Sequence, residues 1–245
     1  MKTTRNLIGV IPARMGATRL PGKPLRLIAG VPMIQRVYEG AAQCARLREV
    51  VVATDGDEIA DFCRGRGIPF RLTSPSHPSG TDRVWQVVNE LGAEAAVNIQ
   101  GDEPMVRGEM LDALVDALFD ASDIEVASLY TPVGTAAAQA ASACKVVVDE
   151  RGRALYFSRA PIPYPREGTP VYKKHLGYYA YSRAALDRFH AWPPSELEQH
   201  ERLEQLRFLH HGVAIAMAET PFDTIGVDTE EDLAEAAARL GRAAQ

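Results

Sequence analysis

Residues 6–27 read NLIGVIPARMGATRLPGKPLRL, and this stretch decides how the rest of the chain is interpreted. Its first six residues form a short apolar run that is typical of a buried strand. A loop rich in glycine, proline and cationic side chains follows at once, and no Asp or Glu occurs before Glu39, although the chain carries a formal charge of -5. Since ligands of open α/β sheets bind where the strands end, the pattern indicates a local anion site.

The periodicity of the first half predicts an α/β fold. The continuous apolar runs EVVVAT and EAAVNIQ read as two further buried strands. They alternate with amphipathic segments that predict helices over residues 32–45, 57–66, 81–91 and 108–120. Continuous apolar strands that alternate with helices indicate a mostly parallel sheet covered by helices on both faces.

The middle of the chain has a different pattern. The segments EVASLYTPV, CKVVVDERGRALYFSRAPIPY and HLGYYAYS are strand-like, and DERG (149–152) predicts a hairpin turn. They indicate an antiparallel or mixed extension. The C-terminal part returns to α/β, with a predicted helix over 197–210, a strand over 212–218 and a last helix capped by Asp228 or Thr229.

Composition excludes several classes of function. The chain has 245 residues and 46% apolar content, enough for one large core. Its negative charge argues against nucleic-acid or membrane binding, and no apolar run approaches the roughly 20 residues of a membrane span. The N-terminus does not resemble a signal peptide. Three widely spaced cysteines, Cys44, Cys63 and Cys144, predict reduced thiols, and we therefore expect a cytoplasmic protein.

The basic loop has the composition of a polyphosphate cradle. Glycines let backbone N–H groups approach phosphate closely, and Arg14, Arg19 and Lys23 supply cationic donors. The loop is not a Walker A motif, because Gly16 and Gly22 are one residue too far apart and Pro24 replaces the magnesium-binding hydroxyl. On composition alone, a solvated surface loop remains the alternative.

Two aspartates follow apolar segments. Asp102 lies in NIQGDEP after the third strand, and Asp228 lies in GVDTEED. Mg²⁺ prefers oxygen ligands and is usually held by one or two carboxylates together with phosphate oxygens and waters. These residues are therefore candidates for a magnesium site, whereas the alternative is that each carboxylate caps the following helix.

Other stretches hold polar residues with less specific patterns. In SHPSGTDR, Ser79 and Gly80 have a hydroxyl and an amide suited to a base or sugar, or they form an ordinary helix cap. Arg159 and His175 lie among strands, where a buried arginine needs either a substrate carboxylate or a nearby Glu. Asp55-Gly56-Asp57 is the one Asp-x-Asp sequence after a strand, and its place near a helix start does not favour a glycosyltransferase.

Taken together, the motifs resemble the 3-deoxy-manno-octulosonate (KDO) cytidylyltransferase family. The resemblance rests on the order and spacing of VIPARMGATRLPGKPL, VVATD, SGTDR, NIQGDEPM, ALYFSRAPIPY, KHLGYYAY, LEQHERLEQLR and GVDTEEDL, which cover nearly the whole chain. No single motif is decisive, but the ordered set is specific. The sialic-acid cytidylyltransferases share the first loop in a looser form.

The resemblance implies a Rossmann-like fold of the nucleotide-diphospho-sugar-transferase type. It implies one nucleotidyltransferase domain over residues 1–245, with a mixed-strand dimerisation sub-domain inserted at approximately 125–190. It also implies an Mg²⁺-dependent reaction of CTP with KDO that gives CMP-KDO and pyrophosphate for lipopolysaccharide biosynthesis. The implied partners are these two substrates and a second copy of the chain in a homodimer.

The family's functional residues are carried over by position. The resemblance implies catalytic roles for Lys23, Asp102 and Asp228, the two aspartates being the metal ligands. It implies CTP contacts from Ala13, Arg14, Arg19, Lys23, Ser79, Gly80 and Gln100. It implies KDO contacts from Arg83, Gln100, Arg159, His175, Tyr179, Glu204 and Gln205.

One position departs from the family pattern. Ala17 stands where the family usually has a serine, so a hydroxyl contact to phosphate is lost there. The alternatives are the same chemistry on 8-amino-KDO or a sialic acid, or a non-catalytic nucleotide-binding subunit. The retained Lys23, Asp102 and Asp228 argue against the last of these.

Overall fold

The structure is a computed structural model that describes residues 6–16 and 19–243, with side chains up to 241. The chain divides into two compact units, Met1–Asp112 with Thr224–Gln245, and Ala113–Asp223. The expected single domain with an insertion at about 125–190 stays a prediction.

The first unit is built on a parallel sheet. Its elements in chain order are β1 (Leu7–Ala13), a 3-10 turn (Lys23–Leu25), β2 (Leu27–Ile28), β3 (Val31–Pro32), α1 (Met33–Ala41), β4 (Val50–Thr54), α2 (Asp57–Arg66), β5 (Phe70–Leu72), α3 (Gly80–Leu91) and β6 (Ala95–Asn98), and the next helix, α4 (Gly108–Phe119), begins in this unit and ends in the second. The strands β6, β1, β4 and β5 are neighbours in that order, and every pairing is parallel. This alternation confirms the predicted α/β class.

Burial explains why these segments are strands. All of β4 and β6 is buried, as expected for parallel strands with both faces covered. Helices α2 and α3 end where the sequence predicts, and each is followed by a left-handed glycine, Gly67 or Gly92, whose N–H satisfies one of the last carbonyls. The small hairpin of β2 and β3 and the short strand β5 were not predicted.

The second unit has mixed strands. Its elements are β7 (Val126–Val133), α5 (Thr135–Ala138), β8 (Lys145–Val148), β9 (Ala154–Ser158), β10 (Tyr172–Ser182), α6 (Arg183–Ala191), α7 (Glu196–Glu201), α8 (Leu206–His210) and β11 (Ile215–Glu219). Strand β10 pairs antiparallel with β7 and β8, β8 pairs antiparallel with β9, and β11 pairs parallel with β7. The chain returns to the first unit with α9 (Glu230–Ala243).

Two predictions for this unit have clear outcomes. The hairpin at DERG is confirmed, because Asp149 and Arg153 close the turn between β8 and β9. The continuous helix over 197–210 is wrong. The chain breaks into α7 and α8 at Arg202, which has a left-handed conformation with φ 55°.

Candidate active site

The first unit joins one lysine to two aspartates. Lys23 Nζ lies 2.7 Å from Asp102 Oδ2 and 3.0 Å from Asp228 Oδ1. Arg19 adds a second cation, with Nη2 3.0 Å from Asp228 Oδ2. Arg19 and Lys23 of the basic loop and the two predicted metal-binding aspartates therefore meet in one cluster, the Lys23 cluster.

Local backbone geometry explains how these side chains meet. Gly22 has φ 66° and starts the short turn that carries Lys23, a conformation that favours glycine. Gly101 lies so close to β1 that a Cβ atom would be 2.7 Å from the carbonyl oxygen of Pro12. The backbone N–H of Val227 donates to the carbonyl of Asp102 at 2.8 Å, which ties together the two segments that carry the aspartates.

The charges in the cluster stabilise one another. Burial disfavours the Lys23 ammonium, but the charges and hydrogen bonds of Asp102 and Asp228 outweigh burial and raise its pKa above the usual value. Burial also disfavours the Asp228 carboxylate, yet Lys23 and Arg19 hold the pKa of Asp228 below its usual value. The cluster therefore keeps both charged forms near neutral pH.

The cap of α9 decides between two interpretations of Asp228. Thr229 Oγ1 accepts from the Asp232 N–H at 3.2 Å, so Thr229 is the capping residue. The Asp232 carboxylate accepts from the N–H groups of Asp228 and Thr229 at 3.0 and 2.9 Å. The Asp228 side chain does not cap the helix and instead faces Lys23 and Arg19.

The donor set of the Lys23 cluster fits a hard cation. The Lys23 ammonium already lies within 3.0 Å of both carboxylates, so one cation reaches both oxygens at once. Over the described residues, no group of three His, Cys, Asp or Glu side chains could hold a metal. Two carboxylates are nevertheless the usual protein contribution for Mg²⁺ bound together with phosphate.

The remaining predicted nucleotide contacts lie in the first unit. Ala13 ends β1 in a buried position, and Arg14 follows it on the surface. Ser79 caps α3 by accepting from the Asp82 N–H at 3.2 Å, and a Cβ on Gly80 would lie 3.3 Å from Pro12. Gln100 donates to Asn98 at 3.3 Å. The predicted departure at Ala17 lies outside the described residues.

Arg83 is a deeply buried arginine with partners inside the first unit. Its guanidinium forms an ion pair with Asp55 and donates to Thr73 Oγ1 at 2.7 Å and to the Ser74 carbonyl at 3.3 Å. Asp55 of the Asp-x-Asp sequence therefore binds an arginine of its own chain. A contact between Arg83 and KDO stays a prediction.

The second unit positions His175 as a neutral side chain. Burial lowers the pKa of His175 to about 3. Its Nε2 lies 2.9 Å from Ser128 Oγ, and that hydroxyl donates to the Tyr178 carbonyl at 2.8 Å. Because the single hydroxyl proton is used there, Nε2 is the donor and Nδ1 is the acceptor. His175 thus offers a hydrogen-bond acceptor rather than a positive charge.

The other predicted KDO contacts in this unit are Tyr179, Glu204 and Gln205. The rings of Tyr179 and His175 are 5.4 Å apart, and burial raises the pKa of Tyr179 well above its usual value. The charge of Glu204 adds to that rise. Gln205 Nε2 lies 3.8 Å from Cys144 Sγ, and the backbone N–H of His175 donates to the Cys144 carbonyl.

Arg159 is held by backbone carbonyls. Its Nε donates to the Glu201 carbonyl at 2.9 Å, Nη1 to that of Ala141 at 3.3 Å, and Nη2 to that of Arg202 at 3.4 Å. The sequence offered two partners, a substrate carboxylate or a nearby Glu. The carboxylate of Glu201 binds the backbone N–H of Arg159 at 2.9 Å rather than its guanidinium.

Sequence reasoning missed two residues beside Arg159. Lys145 is fully buried and donates to the carbonyls of Ala140, Ala143 and Arg159. Glu201 accepts from Ser158 Oγ at 2.6 Å as well as from Arg159. A lysine that opens the apolar run KVVV was the one signal available for Lys145, whereas Glu201 looked like any acid on a polar helix face.

The sequence predicts reduced thiols and contains no apolar run as long as a membrane span. Cys44, Cys63 and Cys144 are free and buried, and burial raises their pKa values to about 12, 11 and 12. In the part of the chain that the structure describes, no helix is both long and apolar enough to cross a bilayer.

Comparison with known proteins identifies the family. Residues 8–215 match the cytidylyltransferase family. The chain is 53% identical to the 3-deoxy-manno-octulosonate cytidylyltransferase of Koribacter versatilis, over 94% of this chain and 88% of that protein. It is 51% identical to the protein of the same name from Acidobacterium capsulatum, over 93% and 94%.

A solved structure extends the likeness to three dimensions. The structure of CMP:2-keto-3-deoxy-manno-octonic acid synthetase complexed with CTP superposes with a TM-score of 0.92 at 43% identity, over 97% of this chain and 99% of that one. The family predicted from the ordered motifs is therefore confirmed, as is the α/β fold. This chain belongs to the 3-deoxy-manno-octulosonate cytidylyltransferase family of nucleotidyltransferases.

Proposed function

We propose that this protein activates KDO with CTP, giving CMP-KDO and pyrophosphate in an Mg²⁺-dependent reaction that supplies lipopolysaccharide biosynthesis. The observation that carries the proposal is the Lys23 cluster, which joins a basic glycine loop to two carboxylates. The relatives named above bear the matching activity in their names, and the solved relative contains CTP.

The triphosphate would bind to the basic loop. Nucleotidyl transfer requires in-line attack on the α-phosphorus and departure of pyrophosphate, and the protein contributes mainly position and charge. Arg19 is largely exposed and Lys23 is mostly buried. Arg19 is thus suited to the mobile, leaving end of the triphosphate, whereas Lys23 offers a fixed cation.

Asp102 and Asp228 would hold Mg²⁺. When bound, such an ion neutralises charge on phosphate oxygens. The hydrogen bond between Val227 and Asp102 keeps the two carboxylate-bearing segments together. Arg19, which pairs with Asp228, would limit the movement of that side chain.

The sugar acid would be recognised by groups of the second unit. Arg159 offers a cation for the carboxylate of KDO, because its guanidinium donates to backbone carbonyls and not to a carboxylate of the described chain. Neutral His175 offers Nδ1 as an acceptor for a sugar hydroxyl. The carboxylate of KDO therefore matches Arg159, and a neutral hydroxyl of the sugar matches His175.

The assembly and location are part of the same proposal. Leu155, Tyr164 and Val171 of the second unit are exposed by 59%, 85% and 71%, and burial of such side chains in a homodimer would be favourable. We infer a cytoplasmic homodimer. Light scattering coupled to size exclusion tests this, and a monomer mass at micromolar concentration would refute it.

Pyrophosphate release tests the reaction itself. The protein is incubated with CTP, Mg²⁺ and one of KDO, 8-amino-KDO or a sialic acid, and release is followed with a coupled phosphate assay. We expect release with KDO. Release only with another sugar acid would overturn the substrate assignment, and no release with any of them would favour a non-catalytic nucleotide-binding subunit.

A further inference from the structure

A buried lysine organises the backbone around Arg159. Lys145 lies on β8 opposite Ser158 of β9, and its side chain is fully buried. Its ammonium donates to the carbonyls of Ala140, Ala143 and Arg159, which uses all three of its N–H bonds. An ammonium with no spare donor has a structural role. Here it holds the segment that carries the Ala140 and Ala143 carbonyls against the backbone of Arg159.

Glu201 holds the same residue from the other side. Its two carboxylate oxygens accept from Ser158 Oγ at 2.6 Å and from the Arg159 N–H at 2.9 Å. Its own carbonyl accepts from Arg159 Nε at 2.9 Å. One residue therefore fixes both the backbone and the side chain of Arg159.

The break between α7 and α8 completes the arrangement. The left-handed residue Arg202 ends α7, so the carbonyls of Glu201 and Arg202 are not used by a continuing helix. Both accept from the Arg159 guanidinium. The C-terminal end of a helix also favours a cation, although α7 is short.

We propose that Lys145 and Glu201 are positioning residues that hold the Arg159 guanidinium ready for the carboxylate of the sugar acid. Neither residue needs to touch the substrate. Their bonds fix the backbone of Arg159 at its N–H and at its carbonyl, while three carbonyls fix the guanidinium without cancelling its charge. A guanidinium that is already ordered loses less entropy on binding a carboxylate.

This inference rests on the proposed function, and the experiment separates the two. Wild-type pyrophosphate release with KDO is measured first. Glu201→Gln is then compared with Glu196→Gln, a matched control on the same helix whose side chain is largely exposed. The amide oxygen can still accept from the Arg159 N–H and the amide NH2 can donate to Ser158 Oγ, so only the first variant replaces two charge-assisted hydrogen bonds of Arg159 and Ser158 by weaker neutral ones.

We expect Glu201→Gln to raise the KM for KDO at least tenfold, with kcat and the KM for CTP changed less than twofold. Glu196→Gln should leave all three within twofold. Lys145→Met should show the same pattern as Glu201→Gln. If Lys145→Met does not fold, Glu201→Gln decides the matter alone.

A double-mutant cycle distinguishes positioning from general stability. In an Arg159→Met background, Glu201→Gln should change kcat/KM for KDO less than twofold, because the group that it positions is gone. Thermal midpoints are recorded for all variants. The proposal is overturned if the two substitutions are additive, if the KM values of both substrates rise together, or if Glu201→Gln lowers only the thermal midpoint. Absence of turnover in the wild type would overturn the proposed function and the positioning role together.

Discussion

Two lysines show how differently the two units use the same side chain. Lys23 is mostly buried and binds two carboxylates, which raise its pKa. Lys145 is fully buried and binds three carbonyls, and burial lowers its pKa. The partners of Lys23 are charged groups that another cation can take over. The partners of Lys145 are backbone carbonyls, which can be displaced only by a change in the backbone conformation.

Removing a carboxylate from the Lys23 cluster has the largest expected effect. We expect Asp102→Asn to lower turnover by about 1000-fold, because about 4 kcal/mol of charge stabilisation depends on the site. The fold should persist, since Asp228 still pairs with Lys23. Steady-state kinetics and thermal melting measure the two effects.

Glu230→Gln is the matched control for Asp102→Asn. It makes the same change in net charge and removes an exposed ion pair with Arg26, two residues from Asp228. Turnover should stay within threefold of the wild type. Full activity in Asp102→Asn would remove that residue from the proposed metal site.

The second test replaces the cation of the Lys23 cluster. Lys23→Met should lower kcat/KM by about 100-fold, the size expected when charge-assisted hydrogen bonds of about 3 kcal/mol are lost. In the absence of nucleotide, the variant should also bind Mn²⁺ at least about tenfold more tightly, because like charges on Asp102 and Asp228 are left without their ammonium.

Electron paramagnetic resonance of free Mn²⁺ measures this affinity without any turnover. Arg26→Met, which removes a cation that pairs with Glu230, is the control and should leave Mn²⁺ binding unchanged. An affinity that is equal in the wild type and in Lys23→Met would mean that Lys23 and the metal do not compete for these carboxylates.

The sequence predicts the Lys23 cluster better than the region around Arg159, because sheet topology determines which side chains meet in the cluster. Asp102 and Lys23 follow strands of a parallel sheet, whose ends must share an edge, so topology alone brings them close. Even the choice between Asp228 and Thr229 as the cap was open from sequence, because either side chain can cap a helix. Only the observed bond between Thr229 and Asp232 decides it.

Around Arg159, backbone conformation rather than residue type determines the partners. The apolar stripe of residues 197–210 predicts one helix, and nothing in the letters ERLEQ indicates a left-handed arginine. Leu197, one of the apolar residues of that segment, is 38% exposed. Two of the three carbonyls that hold Arg159, those of Glu201 and Arg202, become available only through this break, so neither they nor the role of Glu201 could be read from the sequence.

The third prediction concerns the pH dependence of the second unit. His175 has a pKa of about 3 in the folded protein and about 6.5 when unfolded. Between these values the unfolded chain binds the extra proton, so stability falls as the pH is lowered through this window. From pH 7 to pH 5, His175 should account for about 2 kcal/mol of lost stability.

Urea unfolding of His175→Gln at both pH values measures that contribution. The amide keeps a donor for Ser128 but does not titrate, so the acid loss should be smaller by about 2 kcal/mol. His200→Gln makes the same substitution at a largely exposed ring and is the control. Equal acid losses in the wild type and in His175→Gln would show that His175 is protonated without unfolding.

The smallest expected effect tests the helix break itself. Arg202 has φ 55°, a conformation that costs a residue with a Cβ about 1 kcal/mol relative to glycine. Arg202→Gly should therefore be more stable than Arg202→Ala by about 1 kcal/mol, measured by urea unfolding. In a continuous helix the order would be reversed, because glycine is then less stable than alanine by about 0.5–1 kcal/mol. The sign of this difference, rather than its size, tells whether the carbonyls of Glu201 and Arg202 are turned out of the helix toward Arg159 in solution.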